Sequence, residues 1–175
     1  DKLLSEGRVI TNNGTITWDA GNLISCAGGF LVNNGLLTIA NNNSFPTACS
    51  GNQGITISNN GTIERTTTGT TTFNTYSSFS NNGTIKGLGT FRFENTSLQQ
   101  NGRIAPGNPI GLLSLNGRQP FSSGSTLEVQ FANGTSSGTD HDQFSFTGDL
   151  TLNGTLTVTA LGFVPIGTYT IITVT

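Results

Sequence analysis

The tightest constraint on this chain is a recurring Asn-Asn-Gly step. It occurs as Asn12-Asn13-Gly14-Thr15-Ile16, Asn33-Asn34-Gly35-Leu36-Leu37, Asn59-Asn60-Gly61-Thr62-Ile63 and Asn81-Asn82-Gly83-Thr84-Ile85, then shortened as Asn101-Gly102-Arg103-Ile104. The glycines are 21, 26, 22 and 19 residues apart, the period of solenoid coils rather than of a closed core. A unit this small cannot bury its own apolar residues, so neighbouring units must stack. Asn-Gly tolerates positive φ, which predicts a sharp turn, and the Thr/Ile alternation after it predicts a strand with one face inward. The expectation is an all-β rod, a β-solenoid.

Composition agrees and removes some function classes. Charged residues are 9% of the 175 residues, against about a quarter in ordinary soluble domains, so hydroxyls and amides must coat the surface. The net charge of -2 gives no electrostatic footprint for nucleic acid or an anionic membrane surface. No stretch approaches the roughly 20 apolar residues that span a bilayer.

Cys26 and Cys49 are 23 positions apart, close to one solenoid step, which would place them on adjacent coils about 4.8 Å apart and within reach of a disulfide. Two buried free thiols are the alternative. A bridge would imply an oxidising compartment. The loop Asn41 to Gly54 accounts for the long step of 26, and insertions in solenoids emerge on one face, often the binding face. It is the expected presented surface.

Gly89-Thr90-Phe91-Arg92-Phe93-Glu94 reads as an alternating strand, phenylalanines inward and Arg92 and Glu94 outward. At Ala105-Pro106-Gly107-Asn108-Pro109-Ile110-Gly111 the texture changes to a rigid corner, after which longer strands are expected, the last from Tyr169 to Val174. This divides the chain into coils over 1–104 and a β region over 105–175, continuous with the rod and more hairpin-like.

From that corner onward the chain resembles the C-terminal part of bacterial autotransporter and related adhesin passenger domains. The likeness is carried by Ala105 to Gly117, Gly124-Ser125-Thr126-Leu127-Glu128-Val129, Asp140-His141-Asp142-Gln143-Phe144, Gly148 to Val158, and Gly167-Thr168-Tyr169-Thr170-Ile171-Ile172, in that order over about seventy residues. The resemblance implies a secreted, right-handed parallel β-helix serving as a stalk, adhesin or surface fibre.

Asp140-His141-Asp142 holds the only histidine. Two carboxylates and an imidazole are suitable metal ligands or an acid/base pair, but alternation along a strand would send His141 away from Asp140 and Asp142, and a structural turn is the favoured reading. No metal site or cofactor is expected. Glu64 and Lys86 lie one repeat apart and are expected to form a stacked surface ion pair. Thr15-Ile16-Thr17, Thr70-Thr71-Thr72 and Thr155-Leu156-Thr157 suggest ranks of hydroxyls of the kind that bind ice, although Leu36-Leu37-Thr38 and Thr84-Ile85-Lys86 break the pattern. Asn13-Gly14-Thr15, Asn82-Gly83-Thr84 and Asn133-Gly134-Thr135 are also glycosylation sequons.

A solenoid exposes unpaired backbone at its ends, and Tyr169, Ile171, Ile172 and Val174 belong to a strongly β-prone final stretch. These are the expected self-assembly residues. The chain is therefore expected to be an extracellular, non-enzymatic structural or adhesive module, partnered by copies of itself head to tail. A glycan-binding or polysaccharide-degrading β-helix, facing host or matrix glycans with Trp18 or Tyr76 exposed, is the alternative.

Overall fold

The structure, a computed structural model, describes residues 1–46, 54–74, 77–94, 97–117 and 119–175. Among the described residues there is no helix, and every named strand pairing is parallel. Five parallel sheets make up the three faces of the stack. Face 1 contains Val9–Asn12, Phe30–Asn33, Thr56–Asn59, Ser78–Asn81 and Ser97–Gln100 in spatial order. A bridge from Gln100 to Phe121 carries it on to Gln119–Pro120 and Leu150–Thr151. Face 2 is unbroken: Thr15–Trp18, Leu36–Ile39, Thr62–Arg65, Thr84–Gly87, Arg103–Pro106, Thr126–Phe131 and Thr155–Ala160.

Face 3 comprises Thr70–Phe73, Gly89–Phe93, Leu112–Asn116, Gln143–Thr147 and Ile172–Val174. The pair Lys2–Ser5 and Leu23–Cys26 belongs to the same face. Leu23 N donates to Ser44 O at 3.3 Å, Ser25 N donates to Pro46 O at 3.1 Å, and Phe45 bridges Phe73.

The register explains the repeat. Residues one Asn-Asn-Gly period apart occupy one column, as in Ile16, Leu37, Ile63, Ile85, Ile104 and Leu127. All but the first of these are buried, because a strand's alternation sends every second side chain inward and stacking repeats the inward choice. Phe45, Phe73 and Phe93 continue the core as a pile of rings 4.7 and 5.0 Å apart.

The first Asn of each repeat also points inward. Asn12, Asn33, Asn59 and Asn81 are buried, and each donates an amide N–H to the next, at 2.7, 2.7 and 2.6 Å, with Asn81 donating to Gln100 at 2.8 Å. Each also caps a carbonyl of the following coil, for example Asn59 Nδ2 to Thr84 O at 3.1 Å. The ladder satisfies amides that would otherwise be costly to bury. Beside it, the exposed second asparagines form another ladder: Asn34 donates to Asn13, Asn60 to Asn34, Asn82 to Asn60 and Asn101 to Asn82.

The glycines correct the expected reason for their presence. Gly14, Gly35, Gly61, Gly83 and Gly102 do not have positive φ. From Gly35 onward, a Cβ would lie 2.1–2.2 Å from the carbonyl oxygen of the glycine one coil below. Close stacking, not a left-handed turn, excludes side chains here.

The second correction concerns the C-terminal region. The named strands there, Thr126–Phe131, Thr155–Ala160 and their neighbours, pair in parallel, and the ladder crosses residue 105 through Arg103–Thr126 and Ile104–Leu127; the hairpin-like element is local, an antiparallel bridge between Phe131 and His141. The final strand is only Ile172–Val174. Tyr169 lies in the preceding corner, its ring against Phe131 and His141 at 4.9 and 5.2 Å.

Candidate functional site

The expected Glu64–Lys86 pair is present at 3.3 Å on the outer side of face 2. Glu64 also accepts a 2.8 Å hydrogen bond from Asn108 Nδ2, and Arg103 pairs with Glu128 farther along the face. Register makes both arrangements: Glu64 and Lys86 are column neighbours, and Arg103 lies diagonally across from Glu128. A shallow groove of about 560 Å³ passes over them, bounded by Leu36, Thr62 and Thr84. The face is polar and carries both signs of charge.

The Asp140-His141-Asp142 cluster does not converge. His141 and Asp142 are both fully buried. Asp142 accepts Gly111 N through Oδ1 and Gln130 N through Oδ2, each at 2.8 Å, so one carboxylate fastens two segments of neighbouring coils. Asp140 instead accepts Ser136 N at 3.0 Å. Burial, with a smaller contribution from Glu128, raises the Asp142 carboxyl to about 7 against the two stabilising backbone donors. No group of three or more His, Cys, Asp or Glu able to hold a metal occurs among the described residues.

The threonine triplets divide between faces. Thr15, Thr17, Thr155 and Thr157 point out from face 2, and Thr70 and Thr72 from face 3. On face 3 the outward column through Thr70 continues as Thr90, Ser114, Ser145 and Thr173, a hydroxyl rank assembled from unlike sequence segments.

Trp18 is 3% exposed and packs on Phe45, so it offers no sugar-stacking surface; Tyr76 lies outside the described residues, as does Cys49, and with it the expected disulfide. Of the loop Asn41 to Gly54, residues 47–53 lie outside the description. Its first part folds over the core, with Phe45 buried and Asn41 and Asn42 binding Arg65. Arg65 is the buried group that sequence reasoning missed. Its guanidinium is fully buried and donates to Asn41 O, Asn42 Oδ1 and Thr71 Oγ1, and burial lowers it to about 10. The signal that could have found it is the alternation along Thr62–Arg65, which sends Arg65 to the same inner side as Ile63.

The remaining feature is the last coil of face 2. Leu127 and Val129 are 6% and 0% exposed, whereas Leu156 and Val158, the next residues in their columns, are 48% and 58% exposed. Leu152, Phe163 and Ile166 are exposed around them. A hollow of about 180 Å³ lies between Leu127, Leu152, Leu156 and Ile172, and one of about 120 Å³ between Ile10, Ile16, Trp18 and Leu23. Of the expected assembly residues, Val174 is exposed, while Tyr169, Ile171 and Ile172 pack against the core. The strand Thr155–Ala160 is exposed along its length.

Three faces of stacked parallel strands and internal amide ladders define a parallel β-solenoid. No protein-family model, curated protein or solved structure matches this chain.

Proposed function

We propose that this chain is an extracellular, non-enzymatic structural or adhesive module, a surface rod whose working property is rigid self-association through its ends. The observation that supports the reading is the unbroken seven-stranded parallel face 2, stacked coil on coil beside a buried amide ladder, which makes the chain a stiff rod. The likeness of residues 105–172 to autotransporter and adhesin passengers points the same way. Electron microscopy and light scattering across a concentration series test it. Unbranched fibres with a repeat near one subunit length are expected, and a monomer at every concentration overturns it.

The groove across Glu64, Lys86 and Arg103 favours a second reading, glycan binding along face 2, since paired charges and amides suit sugar hydroxyls. Retention on immobilised polysaccharide that is lost in Lys86→Ala and Arg103→Ala would establish it.

A further inference from the structure

We propose that Asn153 is a spontaneous modification site, an Asn-Gly-Thr step set to close on its own backbone and deamidate, while the same three residues are protected elsewhere by coil stacking. The chemistry is internal to the step and needs only water. The Gly154 nitrogen gives up its proton and attacks the side-chain carbonyl carbon of Asn153. The bond from that carbon to Nδ2 breaks, ammonia leaves with a proton, and a succinimide ring remains. Water then opens the ring at one carbonyl or the other, leaving aspartate or isoaspartate at position 153. Glycine favours the attack because no side chain crowds its nitrogen.

Asn60-Gly61-Thr62, Asn82-Gly83-Thr84 and Asn153-Gly154-Thr155 are identical in sequence, so a difference between them comes from structure. At the first two, stacking occupies both reacting groups. Gly61 N donates to Asn33 O at 2.9 Å and Gly83 N to Asn59 O at 3.0 Å, in each case a carbonyl of the preceding coil. The side chains are held as well: Asn60 Nδ2 donates to Asn34 Oδ1 at 3.0 Å and Asn82 Nδ2 to Asn60 Oδ1 at 3.4 Å. Ring closure would break both bonds, so it waits on local opening of the coil.

Asn153 is held in neither way, and the cause lies in the coil before it. Thr62, Thr84, Arg103, Thr126 and Thr155 share one column, and the residues two places before them are Asn60, Asn82, Asn101, Gly124 and Asn153. Gly124 carries no side chain and interrupts the outer ladder directly beneath Asn153. The Gly154 N–H turns to its own neighbour instead, donating to Asn153 Oδ1 at 2.9 Å, so the attacking nitrogen already lies against the carbonyl it must attack. Thr155 N, paired with Ser125 O at 2.9 Å, anchors the step from its other side. The product matters because this step leads into Thr155–Ala160. Isoaspartate lengthens the backbone just ahead of the pairing with Thr126–Phe131, and either product adds a negative charge.

The test incubates the folded chain in mildly alkaline buffer and follows each site by peptide mass mapping, reading the mass gained when an amide becomes an acid. Each rate is taken relative to that of the same site in urea. Asn153 is expected to convert at least about tenfold faster than Asn60 and Asn82, which react only after opening. A second variant, Gly124→Asn, returns the missing rung; a Cβ there meets only Asn101 O at 3.7 Å and Ser122 Oγ at 3.8 Å. It is expected to slow Asn153 while Asn60 and Asn82 stay slow, which also reports that the variant is folded. Conversion of Asn153 as slow as that of Asn60 in the folded native chain overturns the proposal. Rates at all three sites equal to those in urea overturn protection by stacking. An unchanged Asn153 rate in folded Gly124→Asn overturns the role given to the interrupted ladder.

Discussion

Asn33 donates to Asn59 at 2.7 Å inside the rod, while one position along the chain Asn60 donates to Asn34 at 3.0 Å outside it, so adjacent ladders on the same two coils run in opposite directions. Each inner amide has its oxygen and its nitrogen engaged, and the inner ladder is closed to solvent.

Removing an inner rung should therefore cost far more than removing an outer one. Asn59→Ala leaves Asn33 Nδ2, Asn81 Oδ1 and Thr84 O each short of a partner and opens a void, an expected loss of about 3 kcal/mol. Asn60→Ala exposes its former partners to water and should cost less than about 1 kcal/mol. Urea unfolding midpoints of the two variants provide the comparison, and equal losses would contradict the role given to the inner ladder.

Gly61 and Gly14 separate close approach from backbone conformation. A Cβ at Gly61 would stand 2.2 Å from Gly35 O, which only separation of the coils relieves, whereas Gly14 has open space. Gly61→Ala is expected to destabilise by several kcal/mol, as overpacking against backbone does. Gly14→Ala should be neutral or slightly stabilising through the unfolded chain. Thermal unfolding of dilute, monomeric protein measures both.

Asp142 predicts a direction for the pH dependence of stability. Its folded value of about 7 lies above the ordinary carboxylate value near 3.9, so folding favours the protonated form. Its contribution is fully present below about pH 4 and is lost as pH rises through about 7. Acidification from pH 8 to pH 5 should raise the unfolding temperature of the native chain, and Asp142→Asn should flatten that rise. Asp142→Asn also sets an amide NH₂ against Gly111 N or Gln130 N and should be less stable than the native chain at pH 5. A native curve parallel to that of Asp142→Asn across this range would contradict the assignment.

Arg65 has no carboxylate partner among the described residues; its charge is held by a carbonyl, an amide oxygen and a hydroxyl. Thr71→Val removes one acceptor from a buried cation and should destabilise by about 2 kcal/mol. Arg65→Ala, which leaves both a cavity and unpaired polar groups, should cost more. Denaturant midpoints should fall in the order native, Thr71→Val, Arg65→Ala.

The sequence read well where one residue's role repeats in the next coil. The spacing of Gly14, Gly35, Gly61, Gly83 and Gly102 predicted stacking, and the one-period separation of Glu64 and Lys86 predicted their pairing, because a parallel in-register stack turns sequence period into spatial adjacency. Alternation predicted that Phe91 and Phe93 would be inward. It failed at Tyr169 to Val174, where β propensity suggested one long strand: the ring of Tyr169 is used in the corner packing beside Phe131 and His141, and tertiary contacts override propensity.

What the sequence by itself determined is the solenoid: a unit too small to fold alone, an inward/outward alternation, and a small residue at a fixed place in every coil. Tertiary structure alone decided the rest. It set the asparagines' opposed directions, the glycines' role as spacers rather than turn formers, and the burial of Arg65 and Asp142. Each of these depends on what occupies the next coil. The sequence records a residue and its period, whereas burial and hydrogen bonding belong to the column, and a column exists only after the chain has stacked.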